Sequence, residues 1–229
     1  MMESLLRRAG PALLVGGGAV DPGRLARAAR DAAGVAAADS GADTLLAAGI
    51  VPDAVIGDMD SISGAARAAL PPGVLHEIAE QDSTDFDKAL RHIEAPLVIG
   101  HGFLGARMDH ALAVLSVLAR YPERTCLLEG PEDAVALLPP EITLDLAPGT
   151  RVSLWPLGPV TGRSEGLRWP IDGLSFAPDA TVGTSNEATG PVRLRIDAPR
   201  MLVILPVAEA EALRHGLAAR PATWPARAG

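Results

Sequence analysis

Up to residue 130 the chain alternates short apolar runs with stretches of helical spacing. PALLV (11–15), VAAAD (35–39), DAVIGD (53–58), VLHEIAE (74–80), PLVIG (96–100) and RTCLLEG (124–130) have the length and apolar density of strands. Between them, PGRLARAARDAAG (22–34), ADTLLAAG (42–49), SGAARAAL (63–70), TDFDKALRHIE (84–94) and MDHALAVLSVLARY (108–121) are spaced as helices. The 84–94 segment opens on a capping Thr followed by acids, as a helix start should. Strand and helix in alternation predict a parallel sheet covered on both faces, a Rossmann-like α/β domain over residues 1–138. Beyond residue 138 Pro and Gly become frequent. The runs EITLDL (141–146), RVSLWPL (151–157), VRLRID (192–197) and MLVILPV (201–207) predict an antiparallel β-sandwich over residues 139–229. A short helix over 208–217 follows, and the last dozen residues are expected to be loosely packed.

Composition adjusts this picture only slightly. Aromatic residues make up 3% of the chain, so Ala, Leu and Val must build the core. The formal charge of −8 argues against a nucleic-acid backbone as partner, which needs clustered Lys and Arg. It leaves room for a phosphorylated small molecule, which needs only local positive charge. Cys126 is the single cysteine, so no internal disulfide can form, and a reducing cytoplasm is the expected location. No apolar run reaches the ~18 residues of a membrane span, and no signal peptide is read at the N-terminus.

The polar clusters fall at the ends of the predicted strands, where open parallel sheets bind ligands. From Asp31 to Ala66 there is no Lys or Arg, yet the window holds Asp31, Asp39, Asp43, Asp53, Asp58 and Asp60. Carboxylates gathered without cations must protonate, hydrate or bind a metal. An oxygen-rich acidic site suits Mg²⁺, held by a few carboxylates together with substrate phosphates. The Asp58-Met59-Asp60 pair taken alone reads more readily as two solvated loop acids than as a metal site. Asp39 at a second strand end and Asp85 at a helix start favour the metal. Asp82, Asp85 and Asp87 also have a simpler role, complementing the positive end of the helix that Ser83 or Thr84 caps. GHGFLGARMDH (100–110) brings glycines, which let backbone approach a phosphate, and Arg107, which can bind one in bidentate fashion. Asp109 either orients Arg107 or accepts from a nucleotide; equally, it is a first-turn helix acid. Gly16, Gly17 and Gly18 after the first strand are a weak signal of nucleotide approach.

These residues, taken together, resemble the thiamin pyrophosphokinase family. The match runs through ADSGADTLLAAGIVPDAVIGDMDSIS (38–63), QDSTDFDKAL (81–90) and GARMDH (105–110). It continues in GTRVSLWPLG (149–158), GLRWPI (166–171) and TSNEATG (184–190). The resemblance implies an N-terminal α/β domain binding ATP and Mg²⁺, and a C-terminal β-sandwich that binds thiamin and dimerises. It implies transfer of pyrophosphate from ATP to thiamin, giving thiamin diphosphate and AMP. Carried over by position, Asp58, Asp60 and Asp85 hold Mg²⁺, with Asp39 beside them. Asp39, Thr84, Arg107 and Asp109 belong to the nucleotide site. Gln81, Thr184, Ser185 and Asn186 line a thiamin pocket at the subunit interface of a homodimer. Arg107, with Lys88 as a second candidate, neutralises phosphate charge, and Asp85 is the candidate base. The chain departs from the family at Ser40-Gly41-Ala42-Asp43, where Gly-Gly-Ala-Asn is usual, and at Ala106, where Gly is usual. Two rival readings remain: a metal-dependent nucleotide-sugar glycosyltransferase, which also uses Asp-x-Asp, and a non-catalytic thiamin- or nucleotide-binding protein.

Overall fold

The computed structural model describes residues 4–105 and 107–226, so Ala106 lies outside the described residues. The chain has a mixed α/β fold and divides into two compact units. The first holds the chain up to Val117 and Leu128–Pro131; the second holds Leu118–Leu127 and the chain from Glu132 onward. Among the described residues no helix is long and apolar enough to cross a membrane.

In chain order, the first unit's elements are β1 (Leu6–Arg7), β2 (Ala12–Val15), α1 (Pro22–Asp31), β3 (Gly34–Ala38) and α2 (Gly41–Ala47). Next come β4 (Ala54–Gly57), α3 (Gly64–Ala69), β5 (Leu75–Glu77), α4 (Asp85–His92), β6 (Ile93–Glu94) and β7 (Val98–His101). The helix α5 (Met108–Arg120) and the strand β8 (Cys126–Glu129) each run across the unit's margin. Strand β2 pairs in parallel with β3 on one side and β7 on the other, and β3–β4 and β4–β5 are parallel as well. Every residue of β2, β3 and β4 is buried, as expected for strands covered on both faces. Their side chains are small, with Leu13, Leu14 and Ile56 supplying most of the volume, and Leu45 of α2 is fully buried. Helix starts follow local chemistry. Asp21 accepts from Arg24 N at 2.8 Å with Pro22 in the first turn of α1, and Ser63 accepts from Ala66 N at 3.0 Å to open α3.

The second unit contains β9 (Asp133–Leu137), β10 (Glu141–Leu144), β11 (Arg151–Pro156), β12 (Val160–Leu167), β13 (Ser175–Phe176), β14 (Gly183–Ile196), β15 (Met201–Pro206) and α6 (Ala210–Ala218). Its strands pair antiparallel: β9–β15, β15–β11, β11–β14, β14–β10, β14–β12 and β12–β13. Strand β14 extends nine residues ahead of the predicted 192–197 run, because its first part pairs with β11 (Val152↔Asn186) while its last part pairs with β10 (Glu141↔Arg195). Strands β9, β12 and β13 lay outside the predicted runs. In β12, VTGRSEGL, only the two end residues are buried, so no apolar run marks it. The closing segment has no helix or strand after Ala218 among the described residues, but it is anchored. The Trp224 indole N–H donates to Leu138 O at 2.8 Å.

Candidate active site

Strands β2, β3, β4 and β7 point the same way, so their carboxyl ends form one edge. Gly16–Gly18 leave β2 and Gly102–Gly105 leave β7 at that edge, and the two loops are tied together. Gly16 N donates to His101 O at 2.8 Å and Gly18 N to Gly102 O at 3.0 Å. A Cβ on Gly16 would collide with Phe103, and one on Gly18 with the Gly102 carbonyl. These glycines therefore let two loops close on each other, and two of their amides are consumed in doing so. Phe103 in turn packs on Phe86 of α4, ring centroids 4.7 Å apart.

Asp39 follows β3 in the left-handed region at φ 42° and is only 2% exposed. Its two oxygens accept from Ser61 N and Ile62 N, each at 3.0 Å, so it holds the 58–62 loop from beneath. Burial pushes its carboxyl above the ordinary value; the Ser61 and Ile62 amides oppose this, and the Asp85 charge adds to it. The loop itself turns at Met59, φ 65°, whose carbonyl accepts from Arg67 Nη2 at 3.0 Å. Asp60 is exposed and accepts from Ser61 Oγ at 2.7 Å. Asp58 accepts from Lys88 Nζ at 2.8 Å and from Asp60 N at 3.4 Å. The Lys88 hydrogen bond holds the Asp58 carboxyl below the usual range, against a smaller contribution from burial. Asp85 opens α4, where Thr84 Oγ1 accepts from Asp87 N at 3.3 Å. Its Oδ1 accepts from Asp58 N and from Lys88 Nζ, both at 3.3 Å. Gly57 makes this approach possible: a Cβ there would lie 2.9 Å from Asp85 Oδ1 and 3.0 Å from Asp39 Cβ.

Asp39, Asp58 and Asp60 each offer a carboxylate oxygen within 4.8 Å of the others. That hard-oxygen donor set fits Mg²⁺. Asp85 adjoins the three through Asp58 N and Lys88. A cavity of about 550 Å³ opens above them, lined by both glycine loops, Asp39, Asp58, Thr84, Asp85 and Arg107. Arg107 pairs with Asp109 at 2.7 Å; both are well exposed, and each strengthens the other's charged form, raising the Arg107 pKa and lowering that of Asp109. Gln81 stands exposed in the loop before α4, outside the cavity lining. Thr184, Ser185 and Asn186 lie in β14 of the second unit. Ser185 has φ 60° and donates its N–H to Ser153 Oγ at 3.0 Å. Asn186 is buried and bonds Trp169 at both main-chain groups, its Nδ2 donating to Trp169 O at 2.7 Å and its Oδ1 accepting from Trp169 N at 3.2 Å.

The departure at Asp43 has a local explanation, and the burial of Lys88 was not expected. Asp43, in the first turn of α2, accepts from Ser63 N at 3.1 Å and from Ser63 Oγ, so it ties α2 to α3. Lys88 is fully buried and its ammonium is bonded to carboxylates. Sequence reasoning also passed over a smaller cavity of about 290 Å³, lined by Asp21, Arg24, His101, Glu129 and Gly130. There the buried His101 Nε2 stands 3.5 Å from Glu129 Oε2 without a hydrogen bond, and Arg24 Nη1 donates to Gly130 O at 3.1 Å.

The family model described as thiamin pyrophosphokinase, catalytic domain, matches residues 25–128, and the one described as thiamin pyrophosphokinase, vitamin B1 binding domain, matches residues 141–201. Thiamine pyrophosphokinase 1 of Arabidopsis thaliana is 30% identical over 154 residues, which cover 59% of this chain and 58% of that protein. The chain thus matches less than two thirds of the length of its curated relatives. Among solved structures, the thiamin pyrophosphokinase of Candida albicans aligns with a TM-score of 0.73 at 14% identity, covering 89% of this chain and 93% of that one. The thiamine pyrophosphokinase of Bacillus subtilis aligns with a TM-score of 0.70 at 23% identity, covering 86% and 98%. At such identities the structural likeness establishes the fold.

Proposed function

Because the chain belongs to the thiamin pyrophosphokinase family, we propose that it transfers a pyrophosphoryl group from ATP to thiamin, giving thiamin diphosphate and AMP. One observation carries this reading. Aspartates from three separate stretches, Asp39, Asp58 and Asp85, border one cavity with two glycine loops and Arg107, and Asp60 offers an oxygen within 4.8 Å of those of Asp39 and Asp58. Asp58, Asp60 and Asp85, with Asp39 beside them, are the residues that would hold Mg²⁺. When bound, that ion supplies positive charge against the phosphates of ATP.

The residues of the chain do the rest. Arg107 binds phosphate oxygens in place of Asp109, which then becomes free to accept from the nucleotide. The hydroxyethyl oxygen of thiamin attacks the β-phosphorus; the bond from that phosphorus to the α,β-bridging oxygen breaks, and AMP leaves with the bridging oxygen. The hydroxyl proton passes to Asp85. Asp85 Oδ1 accepts from Asp58 N and Lys88 Nζ, and Oδ2 is the oxygen assigned to this task. Phosphoryl-type transfer asks mainly for position and charge neutralisation, and that is what this edge offers.

The same reading assigns a Rossmann-like catalytic domain to residues 1–138 and a thiamin-binding, dimerising β-sandwich to 139–229. The parallel pairing of β2–β5 and β7, and the antiparallel pairing of the second unit, support it. Gln81, Thr184, Ser185 and Asn186 would meet thiamin in a homodimer, and a cytoplasmic setting follows from the substrates. The comparisons lend no support to a glycosyltransferase or to a non-catalytic binder. The direct test mixes the protein with ATP, Mg²⁺ and thiamin. AMP and the diphosphate ester should appear in equal amounts, dependent on all three; thiamin-independent hydrolysis, or no AMP at all, would overturn the proposal.

A further inference from the structure

Among the described residues Lys88 is the largest fully buried side chain, and it carries a charge. An ammonium is normally kept at the surface, and burying one is costly unless it is paired. Here its stem passes through the core side of α4 and its Nζ reaches Asp58 Oδ2 at 2.8 Å and Asp85 Oδ1 at 3.3 Å. Among the described residues no other side-chain cation forms an ion pair with Asp39, Asp58, Asp60 or Asp85. The guanidinium of Arg67, also at this loop, donates to the Met59 carbonyl. The site therefore contains four carboxylates and one fixed positive charge beneath them.

We infer that Lys88 is a built-in counter-cation: it holds Asp58 and Asp85 together when no metal is present, and it sets how strongly the empty site attracts a free divalent ion. This deepens the proposed function and rests on it for the identity of the metal. The physical argument is Coulombic. Without that cation the two carboxylates that share Lys88 Nζ would repel each other, opposed by the hydrogen bond from Asp58 N to Asp85 Oδ1, and the loop would loosen. With Lys88 in place the loop is preformed, with Asp58 lining the cavity and Asp60 beside it. The same charge opposes a second cation a few ångströms away. A free ion gains little at such a site, whereas an ion carrying phosphate oxygens brings its own neutralising charge. The lysine is a positioning residue, acting through Asp58 and Asp85; its buried ammonium is not left free to neutralise phosphate.

The test needs neither thiamin nor turnover. Mn²⁺ alone, without nucleotide, is titrated into the wild type, Lys88→Met and Lys88→Gln, followed by calorimetry and by thermal unfolding. Removing the lysine charge should tighten free Mn²⁺ about tenfold or more. The ion should then take over the lysine's role. Saturating Mn²⁺ should raise the variants' unfolding midpoint by about 4 °C or more beyond any rise in the wild type. Lys88→Gln keeps a donor and much of the stem, so it separates lost charge from lost packing. The inference is overturned if both variants bind free Mn²⁺ no more tightly than the wild type. It is equally overturned if they remain unfolded in millimolar Mn²⁺, since the ion was expected to replace the lysine. Failure of the proposed reaction would appear separately, as absence of AMP with the wild-type protein while both variants still bind free Mn²⁺ more tightly than it does.

Discussion

Asp39 does two jobs that its sequence position does not distinguish: it offers an oxygen to the acidic group, and it clamps the backbone of the loop that carries Asp58 and Asp60. Asp39→Asn tests the clamp. Asn tolerates the left-handed backbone as well as Asp does, so φ 42° is not the problem. Its amide NH₂ would face a backbone N–H, leaving a buried donor unpaired. The expected loss is about 1–3 kcal/mol in denaturant unfolding. Asp60 clamps no buried backbone in this way; it is exposed, and its Oδ1 accepts from the neighbouring Ser61 Oγ. Asp60→Asn should therefore leave unfolding almost unchanged while AMP formation falls ~10²-fold or more, the scale of lost electrostatic stabilisation. Asp58 makes a pH prediction. Its folded pKa is lowered, so the unfolded chain takes up this proton first as pH falls. The stability it contributes is present above the ordinary carboxylate range and is lost as pH drops through the lowered value. Asp39, shifted upward, works in the opposite sense. Asp58→Asn should thus lose less stability than the wild type between neutral pH and about pH 3, measured by unfolding at each pH. The residue types at these positions were readable as acidic chemistry. The burial of Lys88 was not, because a lysine in a predicted helix is ordinarily at the surface.

At the scale of elements, the strand ends are held together by small residues. Gly57 is the clearest case, since a Cβ would press on Asp85 Oδ1 and Asp39 Cβ at once. Gly57→Ala should cost about 1–3 kcal/mol in chemical unfolding and lower AMP formation more than that loss of folded protein explains, because the carboxylates it displaces form the site. The helix start at Thr84 is a milder case: Thr84→Ala should cost about 1 kcal/mol, read in the same unfolding assay. Strands β2, β3, β4 and β7 were legible because burial on both faces demands a continuous apolar run. Strands β12, β13 and the first part of β14 were not. They have exposed or half-exposed positions rich in Gly, Ser, Thr and Glu, and their extended state comes from partners on neighbouring strands.

For the molecule as a whole, the second unit exposes Trp155, Trp169 and Leu174, with Arg168 stacked on Trp169 at 4.9 Å. Large exposed aromatic side chains mark interaction surfaces. Under the proposed function these cover a partner subunit and thiamin, so sedimentation should give a mass twice the 23.6 kDa of the chain. Trp169→Ala should weaken both dimerisation and thiamin binding while leaving ATP binding to the first unit unchanged; calorimetry with each ligand separates the two. The amino-acid sequence by itself determined the alternation of elements in the first unit, the shortage of cations between Asp31 and Ala66, and the delivery of acids to strand ends. These are properties of local pattern and charge, which chain order preserves. Only the tertiary structure decided which acids share one ion-sized gap, that Asp43 serves α3, and that Lys88 lies beneath Asp58 and Asp85. Those relations depend on β3 lying beside β4, and on how α4 packs against them, distances across the fold that no spacing along the chain encodes.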